Sequence, residues 1–496
     1  MLETDLLVIG GGINGAGIAR DAAGRGLSVV LCEQNDLASA TSSASSKLIH
    51  GGLRYLEHYA FRLVSEALAE REVLRAAAPH LITPIQFVLP HVKQLRPYWR
   101  LRLGLKLYDT LGAGQKLPAS QAAELRGSEY GSALKQEFEK GFVYSDCTAD
   151  DARLVIANAR GAQELGARIL PRTRCVSARR EGAAWRAVLE QGSEKIEIKA
   201  HAVVNAAGPW VRALFSEVMH LNSKHNVRLV KGSHIVVRKL YSGEHAYLLQ
   251  NHDRRVVLMI PFQQQFTLIG TTDIPYQGDP AAVMAADSEA AYLCDAVNRY
   301  LKSAIAPADV VWRYSGVRAL YDDGRSNPSQ VTRDYKLILD ADGGLPLLSV
   351  FGGKITTYRK LAQQALDRLA PWFPKMKPEW SAGTPLPGGD CMDMQRLIGE
   401  LMQAHPLFPR DLLSTLAHRH GSLTREVLKD AQKEADLGQH FGAGLYQLEV
   451  DYFIEHEWAQ NADDILWRRT KAGLHVSLVQ RAALERHVFN RRARRR

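Results

Sequence analysis

The sequence predicts an α/β protein: a Rossmann-like nucleotide-binding domain, an inserted β-rich domain and an all-helical C-terminal domain. Three observations support this fold class. Residues 5–33 alternate strand-like and helix-like patterns around a glycine turn. Short β-branched runs between about 224 and 306 predict strands. Charged, helix-like sequence follows the turn-rich string PLPGG at 385–389, which predicts a domain boundary there.

The first βαβ unit reads DLLVIGGGINGAGIARDAAGRGLSVVLCE. Gly10, Gly12 and Gly15 have the G-x-G-x-x-G spacing, which permits a tight turn, close approach of backbone to a pyrophosphate, and close helix–strand packing. Glu33 ends the second strand, where a carboxylate can bind an adenosine ribose. On its own the unit suits FAD and NAD equally, and a Rossmann-like unit without a nucleotide stays open as an alternative.

Composition sets further limits. The 496 residues are 46% hydrophobic and 23% charged, which suits two or three globular domains. The five cysteines are odd in number and far apart, so a reducing compartment is a simpler interpretation than a disulfide framework. Neither a signal peptide nor a membrane-spanning run is recognised. His456 and Glu457 lack the second histidine of the zinc motif, so no metal site is expected.

The formal charge of +10 indicates an anionic partner, which could be a substrate, a nucleic acid or a membrane surface. Part of the excess lies in the tail RRARRR at 491–496, for which a solvated extension and contact with a polyanion both remain open. The string PYWRLRLGLKLYDTLG at 97–112 combines Trp99, Leu103 and Leu107 with basic residues. It predicts either a helix in a membrane interface or a basic surface helix packed on the core.

The string ATSSASSKLIHGGLRYLE at 40–57 carries the next candidate residues. Its small hydroxyl and glycine residues could lie against a phosphate or a planar ring, although an ordinary serine-rich loop has the same composition. Arg54 could hold an oxyanion through two parallel hydrogen bonds, and His50 could move a proton near neutral pH.

Eight strings in this order resemble the family of bacterial aerobic FAD-dependent sn-glycerol-3-phosphate dehydrogenases, over about residues 5 to 471. They are GGGINGAGIARDAAGRGLSVVLCE, ATSSASSKLIHGGLRYLE, VYSDCTADDARLV, VVNAAGPWV, KGSHIVV, IGTTD, YSGVRAL and SVFGGKITTYRKLA. The resemblance implies FAD in a glutathione-reductase or D-amino-acid-oxidase-like fold. It also implies oxidation of sn-glycerol 3-phosphate to dihydroxyacetone phosphate by hydride transfer from C2 to flavin N5, with ubiquinone as acceptor, in glycerol catabolism and respiration.

The resemblance also assigns residues. Substrate contacts are expected from Arg54, Tyr55, Arg318, Arg333 and Lys354, with the arginines clamping the phosphate. His50 is the expected base, and Arg318 with Lys354 would polarise the developing ketone oxygen. The expected cofactor contacts are Gly10, Gly12, Ile13, Asn14, Gly15, Glu33, Thr41, Ser42, Ser43, Ser46, Lys47, Leu48, Gly51, Ala207, Gly208, Gly352, Gly353, Lys354 and Thr356.

Two further polar features lie in the predicted β-rich domain. His234 borders a predicted strand, where a lone histidine is more often structural, so it is given no catalytic role. Thr271, Thr272 and Asp273 form a polar strand end that could face the site or cap a turn.

The expected domain organisation is discontinuous. Residues 1–75, 148–223 and 310–385 would form the FAD-binding domain, and 76–147 with 224–309 the substrate-binding domain. Residues 386–496 would form a helical cap with a basic tail.

The family resemblance places the protein peripherally on the cytoplasmic face of the inner membrane, bound to an anionic surface, and is compatible with a homodimer. Two other functions stay open. A related oxidase would pass electrons to oxygen. A basic FAD protein could bind or modify RNA, but no RNA-binding motif or aromatic-interleaved basic strip is recognised, so no nucleic-acid partner is expected.

Overall fold

A computed structural model describes residues 1–112, 114–253, 255–322, 334–391 and 393–494. The strands are β1 (Leu2–Ile9), β2 (Val29–Glu33), β3 (Leu48–Ile49), β4 (Ile82–Pro90), β5 (Gln121–Glu124), β6 (Lys140–Ala149), β7 (Arg168–Pro171), β8 (Arg174–Glu181), β9 (Ala184–Gln191), β10 (Glu194–Asn205), β11 (Val227–Arg238), β12 (Ala246–Gln250), β13 (Val256–Phe262), β14 (Phe266–Gly270), β15 (Ile274–Pro275), β16 (Val310–Tyr321), β17 (Lys336–Asp340) and β18 (Leu347–Phe351). The helices are α1 (Ile13–Gly24), α2 (Phe61–Ala77), α3 (Tyr98–Leu111), α4 (Asp151–Glu164), α5 (Val211–Ala213), α6 (Asp287–Asn298), α7 (Tyr358–Leu369), α8 (Met394–Ala404), α9 (Arg410–His420), α10 (Thr424–Leu428), α11 (Gln447–His456) and α12 (Leu478–Ala493).

The first sheet is the Rossmann-like sheet that the sequence predicts. Its order is β17-β18-β10-β1-β2-β7, and β1 pairs in parallel with both β2 and β10. Helices α1, α4 and α7 pack together over it. The small side chains of α1 permit this, because Ala16, Ala19 and Ala22 are fully buried and a Cβ on Gly17 would lie 2.7 Å from the Tyr358 ring. The ends of β1, β2, β10 and β18 therefore meet at one edge of the sheet.

The second sheet is the β-rich part. Its order is β15-β11-β14-β13-β12-β4-β6-β3, with β16 paired to β11 and β5 to β6. One apolar cluster lies between this sheet and α6, and another contains residues of α2 and α3. β16 lies in the segment expected to belong to the FAD-binding domain, yet it pairs along its length with β11 of the second sheet. The domain boundaries remain a prediction.

The C-terminal region is helical, as predicted. Helices α8 to α12 and short 3₁₀ turns surround two apolar clusters, one of which contains Ile465 and Leu466. Largely buried ion pairs join this region to the loop after β2 and to the start of α4: Asp36 binds Arg468 and Arg469, Arg153 binds Glu457, and Lys471 binds Asp150.

Replacing Asp36 with asparagine is expected to lower the free energy of unfolding by about 3–5 kcal/mol, because the fully buried Arg469 loses its counter-charge. Burial disfavours the ionised Asp36 carboxyl, but Arg469 and Arg468 outweigh it and hold its pKa below the ordinary value. The stabilisation is therefore present above the unfolded pKa and lost as the pH falls through the folded pKa. Denaturant unfolding at several pH values measures both effects.

The matched control is Glu244→Gln, which breaks an exposed ion pair with Lys239. It is expected to cost no more than about 1 kcal/mol. Equal destabilisation by the two variants would contradict a special role for the buried pair.

Candidate active site

A cavity of about 500 Å³ lies between the two sheets, at the edge where β1, β2, β10 and β18 end. Most of the sequence-predicted residues line it: Gly10, Gly12, Ile13, Asn14, Glu33, Thr41, Ser42, Ser46, Leu48, His50, Arg54, Tyr55, Ala207, Gly208, Arg318, Gly352, Gly353, Lys354 and Thr356. Gly15, Ser43, Lys47 and Gly51 are not in the lining. Arg333 lies outside the residues that the structure describes.

The glycine turn after β1 brings backbone to the cavity. Gly10 has φ +117°, and a Cβ there would lie 2.5 Å from the Ala206 carbonyl oxygen. A Cβ on Gly15 would overlap the Gly10 carbonyl oxygen, so the third glycine allows α1 to pack on the turn. Helix α1 has no acidic residue in its first turn, and Gly12, Ile13 and Asn14 at its start line the cavity. Its positive end therefore opens on the cavity and suits a pyrophosphate.

Hydroxyl and carboxylate groups hold this turn in place. Ser42 Oγ accepts a hydrogen bond from the Ile13 amide at 2.9 Å. Glu33 accepts from the amides of Gly11 and Asn35, both at 2.8 Å. Burial raises the pKa of Glu33 more than these two amides lower it. The Glu33 carboxylate thus has a fixed orientation on the cavity wall.

A second glycine turn, after β18, meets the first. Gly352 and Gly353 have φ +79° and +109°, and Asn14 Nδ2 donates to the Gly352 carbonyl oxygen at 3.1 Å. A Cβ on Gly353 would lie 2.6 Å from Asn14 Nδ2. The Asn14 Oδ1 atom is buried and finds no hydrogen-bond partner in the described part of the chain. The two turns thus form one continuous wall with an unused acceptor.

Lys354 is placed next to Tyr55. Its Nζ lies 3.9 Å from the centre of the Tyr55 ring and is buried, with no hydrogen-bond partner among the described residues. Gly52 has φ +75° and accepts a hydrogen bond from the Tyr55 amide at 2.8 Å, which fixes the start of the Leu53–His58 3₁₀ helix. The buried ammonium group leaves hydrogen-bonding capacity for an anion in the cavity.

His50 has the environment of a neutral base. Burial lowers the pKa of its imidazole, the charge of Asp146 raises it, and Lys354 and Arg71 lower it further. The net shift is downward, so the ring is neutral at neutral pH and able to accept a proton. The His50 amide donates to Thr356 Oγ1 at 3.3 Å, which joins this segment to the turn after β18.

Arg318, on β16, is held by the polar segment 271–273 between β14 and β15. Its guanidinium donates to Asp273 at 3.1 Å and to Thr271 Oγ1 at 3.3 Å. Of the two interpretations of the 271–273 segment, the structure places Thr271 on the cavity wall and Asp273 against Arg318. Lys47 differs, since its Nζ pairs with buried Asp151 at 2.8 Å. Direct contact of Lys47 with a cofactor remains a prediction.

His234 and Asp146 are among the cavity residues that were given no role from the sequence. His234 is 2% exposed, lies 2.8 Å from Ser46 Oγ through Nε2, and stacks on Tyr314. Asp146 is buried, lies close enough to act on the pKa of His50, and also reaches the lining. The string that contains it, VYSDCTADDARLV, is one of those that carry the family resemblance. Three of its thirteen residues are acidic, and this is the signal that could have indicated carboxylates buried in ion pairs.

The wall formed by the second sheet is mainly apolar. Phe87, Tyr144, Leu248, Val256 and Leu258 line it. A cavity of this volume, with a glycine-rich, amide-bearing wall and an apolar wall, fits a dinucleotide that carries a large planar ring. The unused Asn14 Oδ1 and Lys354 Nζ add an acceptor and a cation for that group. The fold and the site thus define a flavin-dinucleotide oxidoreductase.

Comparison with known families gives the same class. The family model "FAD dependent oxidoreductase" matches residues 5–359, and "C-terminal domain of alpha-glycerophosphate oxidase" matches 380–488. The chain belongs to the FAD-dependent oxidoreductase family, and its predicted cofactor, FAD, is confirmed.

Several named proteins are similar over nearly their whole length. A "Glycerol-3-phosphate dehydrogenase" of Pseudomonas aeruginosa is 55% identical over 98% of this chain and 94% of its own. A "D-erythritol 1-phosphate dehydrogenase" of Brucella abortus is 52% identical over 97% and 96%. The Escherichia coli "Aerobic glycerol-3-phosphate dehydrogenase" is 50% identical over 97% and 96%.

A solved structure is similar as well. The glycerol-3-phosphate dehydrogenase from Bacillus halodurans, complexed with FAD, matches with a TM-score of 0.75 and 29% identity, over 99% of this chain and 90% of that one. Within the described ranges, no helix is both long and apolar enough to cross a membrane.

Proposed function

We propose that the protein oxidises sn-glycerol 3-phosphate at C2 to dihydroxyacetone phosphate. The observation that carries this proposal is the buried Lys354 ammonium group without a hydrogen-bond partner among the described residues, in a cavity that also presents Arg54, Arg318 and His50. A small phosphorylated alcohol supplies both an anion for the Lys354 ammonium group and the hydroxyl proton that His50 would accept. FAD, when bound, supplies the acceptor for the C2 hydride at its N5 atom.

The residues of the chain bind the phosphate, accept the hydroxyl proton and stabilise the developing oxyanion. Arg54 and Arg318 hold the phosphate with Tyr55, and Arg333 is proposed as a third member of the clamp. His50 takes the proton of the C2 hydroxyl as the C2 hydride leaves. Lys354, with Arg318, stabilises the negative charge that develops on the oxygen at C2. Thr271 and Asp273 orient Arg318 for this task.

We propose ubiquinone as the electron acceptor, in a respiratory pathway of glycerol catabolism. The family resemblance supports this acceptor, whereas the apolar wall of Phe87, Tyr144, Leu248, Val256 and Leu258 is already assigned to the planar ring of the cofactor. Stopped-flow reoxidation of the reduced protein by a soluble quinone and by oxygen separates this proposal from an oxidase. Faster reoxidation by oxygen would contradict it.

A peripheral position on an anionic membrane is part of the proposal, with a homodimer as the proposed assembly. On α3, Trp99 and Leu103 are exposed, and Arg100, Arg102 and Lys106 lie on the same helix. Such a helix can insert its apolar side chains at a lipid headgroup layer while its basic residues contact anionic lipids. Co-sedimentation with phosphatidylserine vesicles, compared with that of Trp99→Ser/Leu103→Ser, tests this surface, and equal binding would contradict it.

A second substrate is favoured by one relative. The Brucella abortus protein named for D-erythritol 1-phosphate is nearly as similar to this chain as the Pseudomonas aeruginosa protein. Anaerobic addition of each phosphate to the purified holoprotein tests both, through loss of flavin absorbance near ~450 nm, a property of the cofactor. We expect faster bleaching by sn-glycerol 3-phosphate. Bleaching by neither, together with salt-sensitive RNA binding, would support the RNA-linked alternative.

Replacing Lys354 with methionine is expected to slow flavin reduction by about 10²–10³-fold, because a charge aimed at the developing oxyanion is removed from a buried site. Met keeps most of the apolar stem against Tyr55, so the fold should survive. Single-turnover anaerobic reduction measures the rate. Lys360→Met, which removes a cation that does not line the cavity, is the control. Equal rates in the two variants would remove Lys354 from the proposed chemistry.

A further inference from the structure

A buried carboxylate group binds the backbone next to His50. Asp146, near the end of β6, is 2% exposed and reaches the cavity lining. Its Oδ1 atom accepts from Arg71 at 2.7 Å and from the Gly51 amide at 3.3 Å. Arg71 is fully buried and also donates to the Ser145 carbonyl oxygen. The carboxylate is thus tied both to its own strand and to the backbone next to His50.

Tyr108 closes this network from α3. Its hydroxyl donates to Asp146, with oxygens at 2.8 and 2.9 Å, and accepts from the Gly51 amide at 2.9 Å. Burial, followed by the Asp146 charge, raises the pKa of Tyr108 well above its usual value, so the hydroxyl keeps its proton. A Cβ on Gly51 would lie 2.6 Å from the Tyr108 oxygen. Glycine at this position therefore permits the contact.

We propose that Asp146 and Tyr108 are positioning residues for His50: together they hold the Gly51 amide, and so set where the imidazole stands in the cavity. This inference rests on the proposed role of His50. The network joins the segment that contains His50, between β3 and the Leu53–His58 3₁₀ helix, to three other elements, β6, α2 and α3. The position of His50 is therefore fixed by these contacts as well as by the backbone of Gly51 and Gly52, which follow it.

The same network sets the electrostatic environment of His50. Of the charged groups that act on the imidazole, Asp146 favours its protonated form, whereas Lys354 and Arg71 oppose it. Among the charged groups of the described chain that act on His50, only Asp146 therefore stabilises the imidazolium that forms when His50 takes up a proton. A carboxylate charge close to a histidine base stabilises the imidazolium that forms when the base takes a proton.

Two variants separate positioning from charge. Asp146→Asn removes the charge and keeps hydrogen-bonding atoms. We expect the limiting rate of flavin reduction by sn-glycerol 3-phosphate to fall about 10-fold or more, because a neutral amide holds the Gly51 amide and Arg71 less firmly than a carboxylate does, and small displacements at a reacting centre are costly. The acid limb of its pH profile should move to lower pH, because the imidazolium loses its stabilising charge. Tyr108→Phe removes one hydroxyl and keeps the charge, so its rate should fall without a shift of the limb to lower pH.

The control is Glu70→Gln, which breaks a buried carboxylate–arginine pair with Arg359 away from the cavity. Its pH profile should match that of the wild type, whatever its stability. If Asp146→Asn does not fold, Tyr108→Phe still tests the positioning role. Wild-type rates and pH profiles in the holoenzyme forms of both variants would overturn the inference. Failure of sn-glycerol 3-phosphate to bleach the wild-type flavin would instead overturn the proposed function.

Discussion

Replacing His50 with asparagine is expected to slow flavin reduction by sn-glycerol 3-phosphate by about 10²–10⁴-fold, the usual contribution of a positioned general base. Asparagine keeps much of the volume of the imidazole but cannot take a proton. His50 lines the cavity, and its amide is tied to Thr356, so the substitution leaves the backbone contacts in place. Anaerobic stopped-flow reduction of the holoprotein measures the rate.

The pH dependence gives a second test of His50. Burial lowers its pKa, and the base works in its neutral form. Reduction should therefore be fastest at high pH and fall as the pH drops through a value below the ordinary histidine pKa of about 6.5. The rate of the asparagine variant should lack this fall at low pH, the acid limb of the profile. A variant that keeps the normal rate and the normal limb would remove His50 as the base.

His245→Asn is the matched control, because His245 is also buried and does not line the cavity. Burial lowers its pKa to about 4, so it too is neutral near pH 7. We expect its holoprotein to be reduced at the wild-type rate with the wild-type pH profile. A comparable loss in this variant would show that the effect at His50 is a general consequence of changing a buried histidine.

The nucleotide turn could be predicted from the sequence because each glycine acts locally. Gly10, Gly12 and Gly15 lie within one turn of chain, and their spacing alone implies a turn, an open helix end and close packing. The contact between Asn14 and Gly352 spans 338 residues. No local sequence pattern encodes a contact between residues so far apart in the chain. The family resemblance supplied the order of the segments but not their arrangement in space.

The partners of charged residues were the hardest feature to predict. Lys47 lies in a hydroxyl-rich loop that suits a phosphate, but its partner, Asp151, is 104 residues away. Likewise, Asp146 and Tyr108 act through contacts with Gly51 that only the packing of α3 on the second sheet creates. His234 could not be separated from an ordinary strand histidine, because its neighbour Ser46 comes from a distant loop.

Replacing Gly15 with alanine is expected to weaken FAD binding by about 5–150-fold, the equivalent of the roughly 1–3 kcal/mol that overpacking costs. The new Cβ would overlap the Gly10 carbonyl oxygen, a backbone atom of the turn that cannot rotate away as a side chain can. Helix α1 must therefore shift from the turn, and its amides move away from the pyrophosphate site. Quenching of flavin fluorescence on titration of apoprotein measures the dissociation constant.

Gly399→Ala is the control for this prediction. Gly399 lies on α8, and a Cβ there meets nothing within 4 Å. Alanine in a helix interior is also favoured over glycine by about 0.5–1 kcal/mol, so this variant should fold at least as well and bind FAD normally. If Gly15→Ala also binds FAD normally, α1 can move without cost, and the close packing of helix on turn does not determine cofactor affinity. Weaker FAD binding in Gly15→Ala but not in Gly399→Ala would show that the close contact between Gly15 and the Gly10 carbonyl oxygen keeps the positive end of α1 at the pyrophosphate site.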